Sequence, residues 1–210
     1  PNPLTMLDPG YSVYTDSDGP VKRIDEKRAR RLEPGEQERI EAVILGQKRP
    51  DRQRPLNITH QAAFRVLFLL IVGTGLRLRE AYSLRVSHVR FDQRSIHVAN
   101  SKTGQARDVP QTRAIYDCLK AYADEHRPTT LFFPFWDGNP EELKRCTLRL
   151  SRQFTAVFEY AKCEDLTEHD LRHEAACRWA LMKDATGNWM FRETELRKIL
   201  AHSSSRMLDR

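Results

Sequence analysis

Two absences narrow what this 210-residue chain can be. Its cysteines (Cys118, Cys146, Cys163 and Cys177) lie far apart and form no Cys-x-x-Cys pair, so we expect reduced thiols and neither a disulfide framework nor a zinc site. The longest apolar run, from Val66 to Val72, is far too short to span a membrane. Together these features favour a cytoplasmic protein with no membrane partner.

The charge balance is moderately positive. The chain has 35 Lys and Arg residues against 29 Asp and Glu residues, which gives a net charge of +6 and a pI near 9.3. This excess is compatible with a polyanionic partner, but an ordinary basic protein has the same balance. Charge alone therefore does not decide between them.

Residues 1–33 are predicted to be a basic interdomain linker, because prolines and glycines interrupt any regular element there. This segment contains a run of basic residues, which is typical of a solvated surface. If the partner is DNA, the same side chains alternatively contact its phosphate groups. The residues that would make such contacts are Lys22, Arg23, Lys27, Arg28, Arg30 and Arg31. The pattern from Pro34 onwards predicts one domain over residues 34–210.

Hydrophobic periodicity predicts a mainly α fold with a small β-hairpin, an α+β architecture. Alternation over residues 94–110 indicates the hairpin, with Lys102 at its tip. Gly73 and Gly75 are expected to end a core helix that starts near Thr59. Other helices are expected after Pro34, around Glu80, at 112–125, 140–161, 168–183 and 192–201, and from Ser203 onwards.

One basic side chain, that of Arg77, is placed to meet phosphate oxygens. Arg77 follows a helix that glycine interrupts, and a guanidinium held at such a turn suits bidentate capture of a phosphate. Glu80 lies on the same helical face as Arg77. It either orients Arg77 through an ion pair or is a solvated surface carboxylate.

The remaining candidates lie further along the chain. Lys102 can protonate a leaving oxygen, although hairpin tips often carry lysine for turn reasons alone. His169 and Arg172 are separated by three residues, so one helical face presents an imidazole beside a guanidinium. His202 either donates to a phosphate or helps to end the preceding helix.

Four ordered segments carry a resemblance to a known family: Thr74-Gly75-Leu76-Arg77-Leu78-Arg79-Glu80, Ser101-Lys102-Thr103-Gly104 with Arg107-Asp108-Val109-Pro110, His169-Asp170-Leu171-Arg172-His173, and Leu200-Ala201-His202-Ser203-Ser204. From about residue 34 to its end, the chain closely resembles the catalytic domain of the tyrosine recombinases, or phage-type integrases. The resemblance implies that Arg77, Lys102, His169, Arg172 and His202 surround the scissile phosphate, with Glu80 as an acidic helper. Ala201 departs from the glycine that usually precedes the last histidine.

The nucleophile of that family is a tyrosine nine residues after this histidine, which would be position 211 in a chain of 210 residues. All six tyrosines of the chain precede His169, and none has the matching spacing. We therefore expect that this chain is a fragment cut just before the nucleophile. Such a fragment should bind DNA weakly and should not cleave it.

The resemblance implies site-specific DNA recombination through a 3′-phosphotyrosyl intermediate, in the bacterial cytoplasm and on DNA of a phage or other mobile element. It also implies a double-stranded DNA recombination site as partner, a homotetramer on DNA, and no metal or cofactor. The alternatives are a non-catalytic DNA-binding or regulatory relative, a type IB topoisomerase or telomere resolvase, and a helical scaffold with no role on DNA.

Overall fold

The computed structural model describes residues 30–99 and 106–200 in full, and residues 14–16 and 19–21 by their backbone. The helices of this part of the chain are α1 (Glu36–Ile44), α2 (Gln61–Thr74), α3 (Leu78–Tyr82), α4 (Arg113–His126), α5 (Leu143–Tyr160), α6 (Glu168–Ala180) and α7 (Glu193–Leu200). Its strands are β1 (Tyr14–Asp16), β2 (Gly19–Val21), β3 (Val89–Arg90), β4 (Ser95–Val98) and β5 (Arg107–Pro110). The predicted mainly helical fold with a small antiparallel sheet is confirmed. No helix in the described ranges is both long and apolar enough to cross a bilayer.

Helix α2 is the centre of the core, as its apolar composition predicts. Phe64, Leu67 and Phe68 are fully buried, and the helix packs against α1, α3, α4 and α6. Gly73 does not end this helix, contrary to expectation. A Cβ there would lie 2.5 Å from Cδ1 of Ile115, so this glycine instead allows α4 to approach closely.

Gly75 ends α2 in the left-handed conformation, with φ of 68°. Its N–H donates to the carbonyl of Ile71 at 2.8 Å, and the hydroxyl of Thr74 accepts from the N–H of Leu76 at 3.3 Å. The resulting sharp turn leads directly into α3. It places the end of α2 against Leu200 in α7.

The sheet β3–β4–β5 is an antiparallel meander in which Ile96 pairs with Val109 and Val98 with Arg107. The predicted hairpin corresponds to β4 and β5, and β3 is an additional strand that was not expected. Ile96, Val98 and Val109 face the core. The expected tip residue, Lys102, lies outside the described residues.

Several predicted boundaries need correction. Strands β1 and β2 form an antiparallel pair, whereas no regular element was expected before Pro34. The helix predicted from residue 140 starts with a 3-10 turn, Pro140–Glu142, which Asn139 caps by accepting from the N–H of Glu141 at 3.0 Å. Helix α6 ends at Ala180 rather than near 183, and the helix predicted from Ser203 lies outside the described residues.

Candidate active site

Arg77 is the residue that precedes α3 and caps its N-terminus. Its Nη1 donates to Oε1 of Glu80 at 2.9 Å, and its backbone N–H donates to Oε2 of the same carboxylate at 2.9 Å. The ion pair expected from the spacing of these residues is therefore present. The Arg77 side chain remains 29% exposed, so its guanidinium lies at the surface of the domain.

Glu80 has a second partner, Arg107 in β5. Nη1 and Nη2 of Arg107 donate to Oε1 and Oε2 of Glu80 at 3.1 and 2.7 Å, and both side chains are almost completely buried. Burial acts to raise the pKa of the Glu80 carboxyl, but the hydrogen bonds and charge of Arg107, followed by the hydrogen bonds from Arg77, outweigh it and lower that pKa. The carboxylate is thus ionised between two arginines.

Arg172 lies in α6 and is 9% exposed. Its Nη1 donates to the carbonyl of Gly75 and its Nη2 to that of Leu200. Burial, followed by the positive charge of Arg77, lowers the pKa of Arg172 to about 10, so the group still carries its proton at neutral pH. Arg77, Glu80 and Arg107 all act on this guanidinium electrostatically, which places the four charged groups in one cluster.

Two of these arginines also hold the C-terminal end of α7. Nε of Arg107 donates to the carbonyl of Ile199 at 2.8 Å, and Arg172 binds the next carbonyl, that of Leu200. The last carbonyls of a helix lack partners within the helix and carry partial negative charge, so cations stabilise them. The chain leaves this helix end towards His202, which lies outside the described residues.

His169 lies exposed on the first turn of α6, one turn before Arg172. A capping box fixes that turn: the carboxylate of Asp170 accepts from the backbone N–H and the hydroxyl of Thr167, both at 2.8 Å. Of the six predicted site residues, the described structure brings Arg77, Glu80 and Arg172 together. Lys102 and His202 stay predictions, and Arg107 is an addition.

Arg107 could have been found from the strand pattern. Residues two apart in a strand face the same side of the sheet, and Val109 is fully buried. Arg107 is therefore a charged residue on the inward face of β5, which calls for a buried partner. The sequence does not identify that partner, because Glu80 lies in a different element.

A cleft of about 700 Å³ opens beside Arg77 and Glu80. Burial lowers the pKa of the His88 imidazole, and nearby His97, Arg85 and Arg90 add to the effect. The basic side chains that line the cleft are Arg77, Arg79, Arg85, His88 and His97. Such a lining suits a polyanion.

Two of the described tyrosines have structural roles. The hydroxyl of Tyr82 is 2.7 Å from that of Thr147 and donates to the carbonyl of Leu143, and the hydroxyl of Tyr160 donates to the carbonyl of Arg54. The nucleophile therefore stays a prediction. Within the described ranges, no group of three or more His, Cys, Asp or Glu side chains is placed to hold a metal ion.

The end of the basic run is fastened to the domain. Nη2 of Arg30 donates to Glu36 at 2.6 Å, and Nε of Arg31 donates to Glu174 in α6 at 2.9 Å. The other four members of the run, Lys22, Arg23, Lys27 and Arg28, lie outside the described residues. Contact between these six side chains and DNA stays a prediction.

Fold and site together define a helical domain with a partly buried cluster of arginines suited to phosphate. Residues 50–210 match the phage integrase family, so the chain belongs to that family. The cluster of Arg77, Glu80, Arg107 and Arg172 lies within these matched residues.

Named relatives agree with this assignment. The shufflon-specific DNA recombinase of Escherichia coli is 30% identical over 145 residues, which are 69% of this chain and 33% of that protein. The tyrosine recombinase XerA of Pyrococcus furiosus is 28% identical over 116 residues, 53% of this chain and 39% of that protein. The chain thus spans between 33% and 39% of the length of these two relatives.

Solved structures share the fold. The Tn1549 transposon integrase in complex with transposon right end DNA superposes with a TM-score of 0.61 at 19% identity, over 88% of this chain and 62% of that chain. At this identity the likeness establishes the architecture.

Proposed function

We propose that this chain contains the catalytic centre of a site-specific DNA recombinase, which cleaves and rejoins DNA strands through a 3′-phosphotyrosyl intermediate. The observation that carries the proposal is the cluster in which Arg77 and Arg172 are held by Glu80 and by backbone carbonyls. Family membership supports it, because the named relatives are DNA recombinases.

The chemistry needs positive charge around the phosphate that is attacked. A tyrosine hydroxyl forms a bond to phosphorus, the bond from phosphorus to the 5′-oxygen breaks, and negative charge builds on the non-bridging oxygens. In this proposal Arg77 and Arg172 bind those oxygens, as preorganised donors do in other enzymes. Attack by a 5′-hydroxyl on the phosphotyrosine reverses these steps and rejoins the strand.

The proton transfers are assigned from the family resemblance. Lys102 would give a proton to the leaving 5′-oxygen, and His169 would assist removal of the tyrosine proton. His202 would add a hydrogen bond to the phosphate. The attacking tyrosine is assigned from the same resemblance and not from a described residue.

Double-stranded DNA is the proposed partner. The cleft lined by Arg79 and Arg85 continues from Arg77, so neighbouring phosphates of the same strand can lie along it. A homotetramer on DNA, a cytoplasmic location and a linker over residues 1–33 belong to the same proposal.

The test uses the full gene product and plasmids that carry the DNA bordering the gene. We expect a covalent protein–DNA adduct with the wild type. Arg77→Lys and Arg172→Lys should lower the cleavage rate by about 100- to 1,000-fold, the range seen when one donor to a developing oxyanion is lost. Arg113→Lys is the matched control, because the Arg113 side chain is 91% exposed and lies outside the cluster.

Three outcomes would contradict the proposal. DNA binding without any adduct would indicate a non-catalytic relative, and relaxation of plasmids that lack a specific site would indicate a topoisomerase. Full cleavage by both arginine variants would show that the cluster is not the catalytic centre. Thermal unfolding of each variant separates lost chemistry from lost folding, and Arg77 is the safer position because it is the more exposed of the two.

A further inference from the structure

Arg107 is almost completely buried, although it is the first residue of strand β5. Its side chain is 7% exposed, while the neighbouring Asp108 side chain is 54% exposed. Burying a guanidinium is unfavourable unless its donors are satisfied. Arg107 meets this condition with Nε, Nη1 and Nη2, which all donate to described acceptors.

These contacts join three elements. Nη1 and Nη2 bind Glu80 in α3, and Nε binds the carbonyl of Ile199 in α7. The residue itself lies in β5, on the strand that follows Lys102 in the sequence. Arg107 is thus the point at which the strand, the Arg77 turn and the end of α7 meet.

The bidentate contact fixes the plane of the Glu80 carboxylate. A terminal carboxylate torsion is broad and roughly two-fold, so a carboxylate held at only one oxygen can rotate. Two parallel N–H donors from Arg107 remove that freedom. Oε1 is then held where it accepts from Arg77 at 2.9 Å and from Arg107 at 3.1 Å.

Without Arg107 the carboxylate would be drawn towards Arg77, the other arginine that donates hydrogen bonds to it. A bidentate pair between Glu80 and Arg77 would turn that guanidinium towards the protein and away from a phosphate. Glu80 would also keep its burial but lose the largest influence that favours its ionised form. Both changes alter Arg77 without any contact between Arg107 and DNA.

We infer that Arg107 is a positioning residue for the proposed reaction: it orients Glu80, and Glu80 orients Arg77 towards the scissile phosphate. The inference rests on the proposed function.

A double-mutant cycle in the full gene product tests the inference. We expect Arg107→Met to lower the cleavage rate at least 30-fold, on the order of what precise positioning contributes, while the Kd for DNA changes less than three-fold. Arg107→Lys, which keeps the charge but loses the fork, should recover part of the rate. Arg113→Met, which removes an exposed arginine, should leave the rate unchanged.

Glu80→Gln provides the second side of the cycle. If Arg107 acts through Glu80, the rate of the double variant Glu80→Gln/Arg107→Met should lie within about three-fold of the slower single variant. This double variant also removes a buried ion pair as a unit, so it keeps the test valid if Arg107→Met alone folds poorly. Rate losses that multiply would overturn the inference.

The pH profile supplies a readout that a purely structural role would not move. Because removing Arg107 shifts the pKa of Glu80 upwards, cleavage by Arg107→Met should begin to fail at a higher pH on acidification than cleavage by the wild type. An unshifted acid limb would overturn the inference. If the wild type forms no adduct, the proposed function fails and this inference fails with it; an active wild type and an equally active Arg107→Met variant refute the inference alone.

Discussion

The turn at Gly75 provides the sharpest test of how the site is built. An alanine Cβ at this position would lie 2.7 Å from Cδ2 of Leu200 and 3.4 Å from Cβ of Ala175. The backbone there has φ of +68°, a conformation that side chains with a Cβ rarely adopt. Gly75→Ala should therefore strain both the turn and the packing of α7.

The size of the effect follows from two contributions. Placing a non-glycine residue in the left-handed region costs about 1–2 kcal/mol. Forcing a methyl group into a packed contact costs about 1–3 kcal/mol more, because Leu200 is fully buried and has little room to move. The free energy of unfolding should thus fall by about 2–5 kcal/mol in total.

Urea unfolding of the variants, followed by circular dichroism, measures these contributions separately. Gly138→Ala is the matched control, because Gly138 has φ of +95° but no atom within 4 Å of the added Cβ. Only the backbone contribution, about 1–2 kcal/mol, is expected there. In a Leu200→Ala background the loss from Gly75→Ala should shrink to the same value. Equal losses for Gly75→Ala and Gly138→Ala in the wild-type background would refute the reasoning.

Two further predictions concern acid stability and DNA binding. Burial acts to raise the pKa values of the Glu36, Glu80 and Glu174 carboxyls, but hydrogen bonds from arginine side chains outweigh burial and lower these pKa values. These ionised groups therefore stabilise the fold fully at pH values above 4.5, the ordinary pKa of a glutamate carboxyl. Urea unfolding at a series of pH values should show that the free energy of unfolding decreases as the pH falls below 4.5. A larger free energy of unfolding in acid would contradict this prediction. For binding of duplex DNA, Arg85→Met should reduce the slope of the logarithm of the association constant against the logarithm of the salt concentration by about one. The Arg113 side chain does not line the cleft, so Arg113→Met should change this slope less. Equal slopes for the two variants would argue against the cleft as a DNA path.

Local patterns were sufficient for much of the fold. The apolar stripe that includes Ile40 and the continuous apolar surface around Phe64 each predicted a helix, because burial of an amphipathic or fully apolar face imposes that periodicity. The expected end of α2 at Gly73 was wrong, because a glycine serves helix packing as readily as helix termination. Only the facing Ile115 side chain distinguishes the two uses.

Local patterns also predicted part of the charged cluster. Arg77 and Glu80 are three residues apart, so their ion pair depends on helix geometry that the sequence determines. Arg172 was predicted from the spacing of its motif. Its hydrogen bonds to the carbonyls of Gly75 and Leu200 depend on how α6 packs against the end of α2 and against α7. The catalytic roles assigned to Arg77, Lys102, His169, Arg172 and His202 stay predictions.

The sequence by itself determined the family, the helical class and the order of the basic motifs, since these depend on residue type and on spacing along the chain. The tertiary structure decided which charges share one environment. It joins Arg107 to Glu80, which lies 27 positions earlier in the sequence. It also holds Arg172 against Leu200 at the end of α7, which lies 28 positions later. Strand alternation shows that Arg107 points inwards, but only the packing of α3, β5 and α7 provides the carboxylate and the helix end that its buried charge requires.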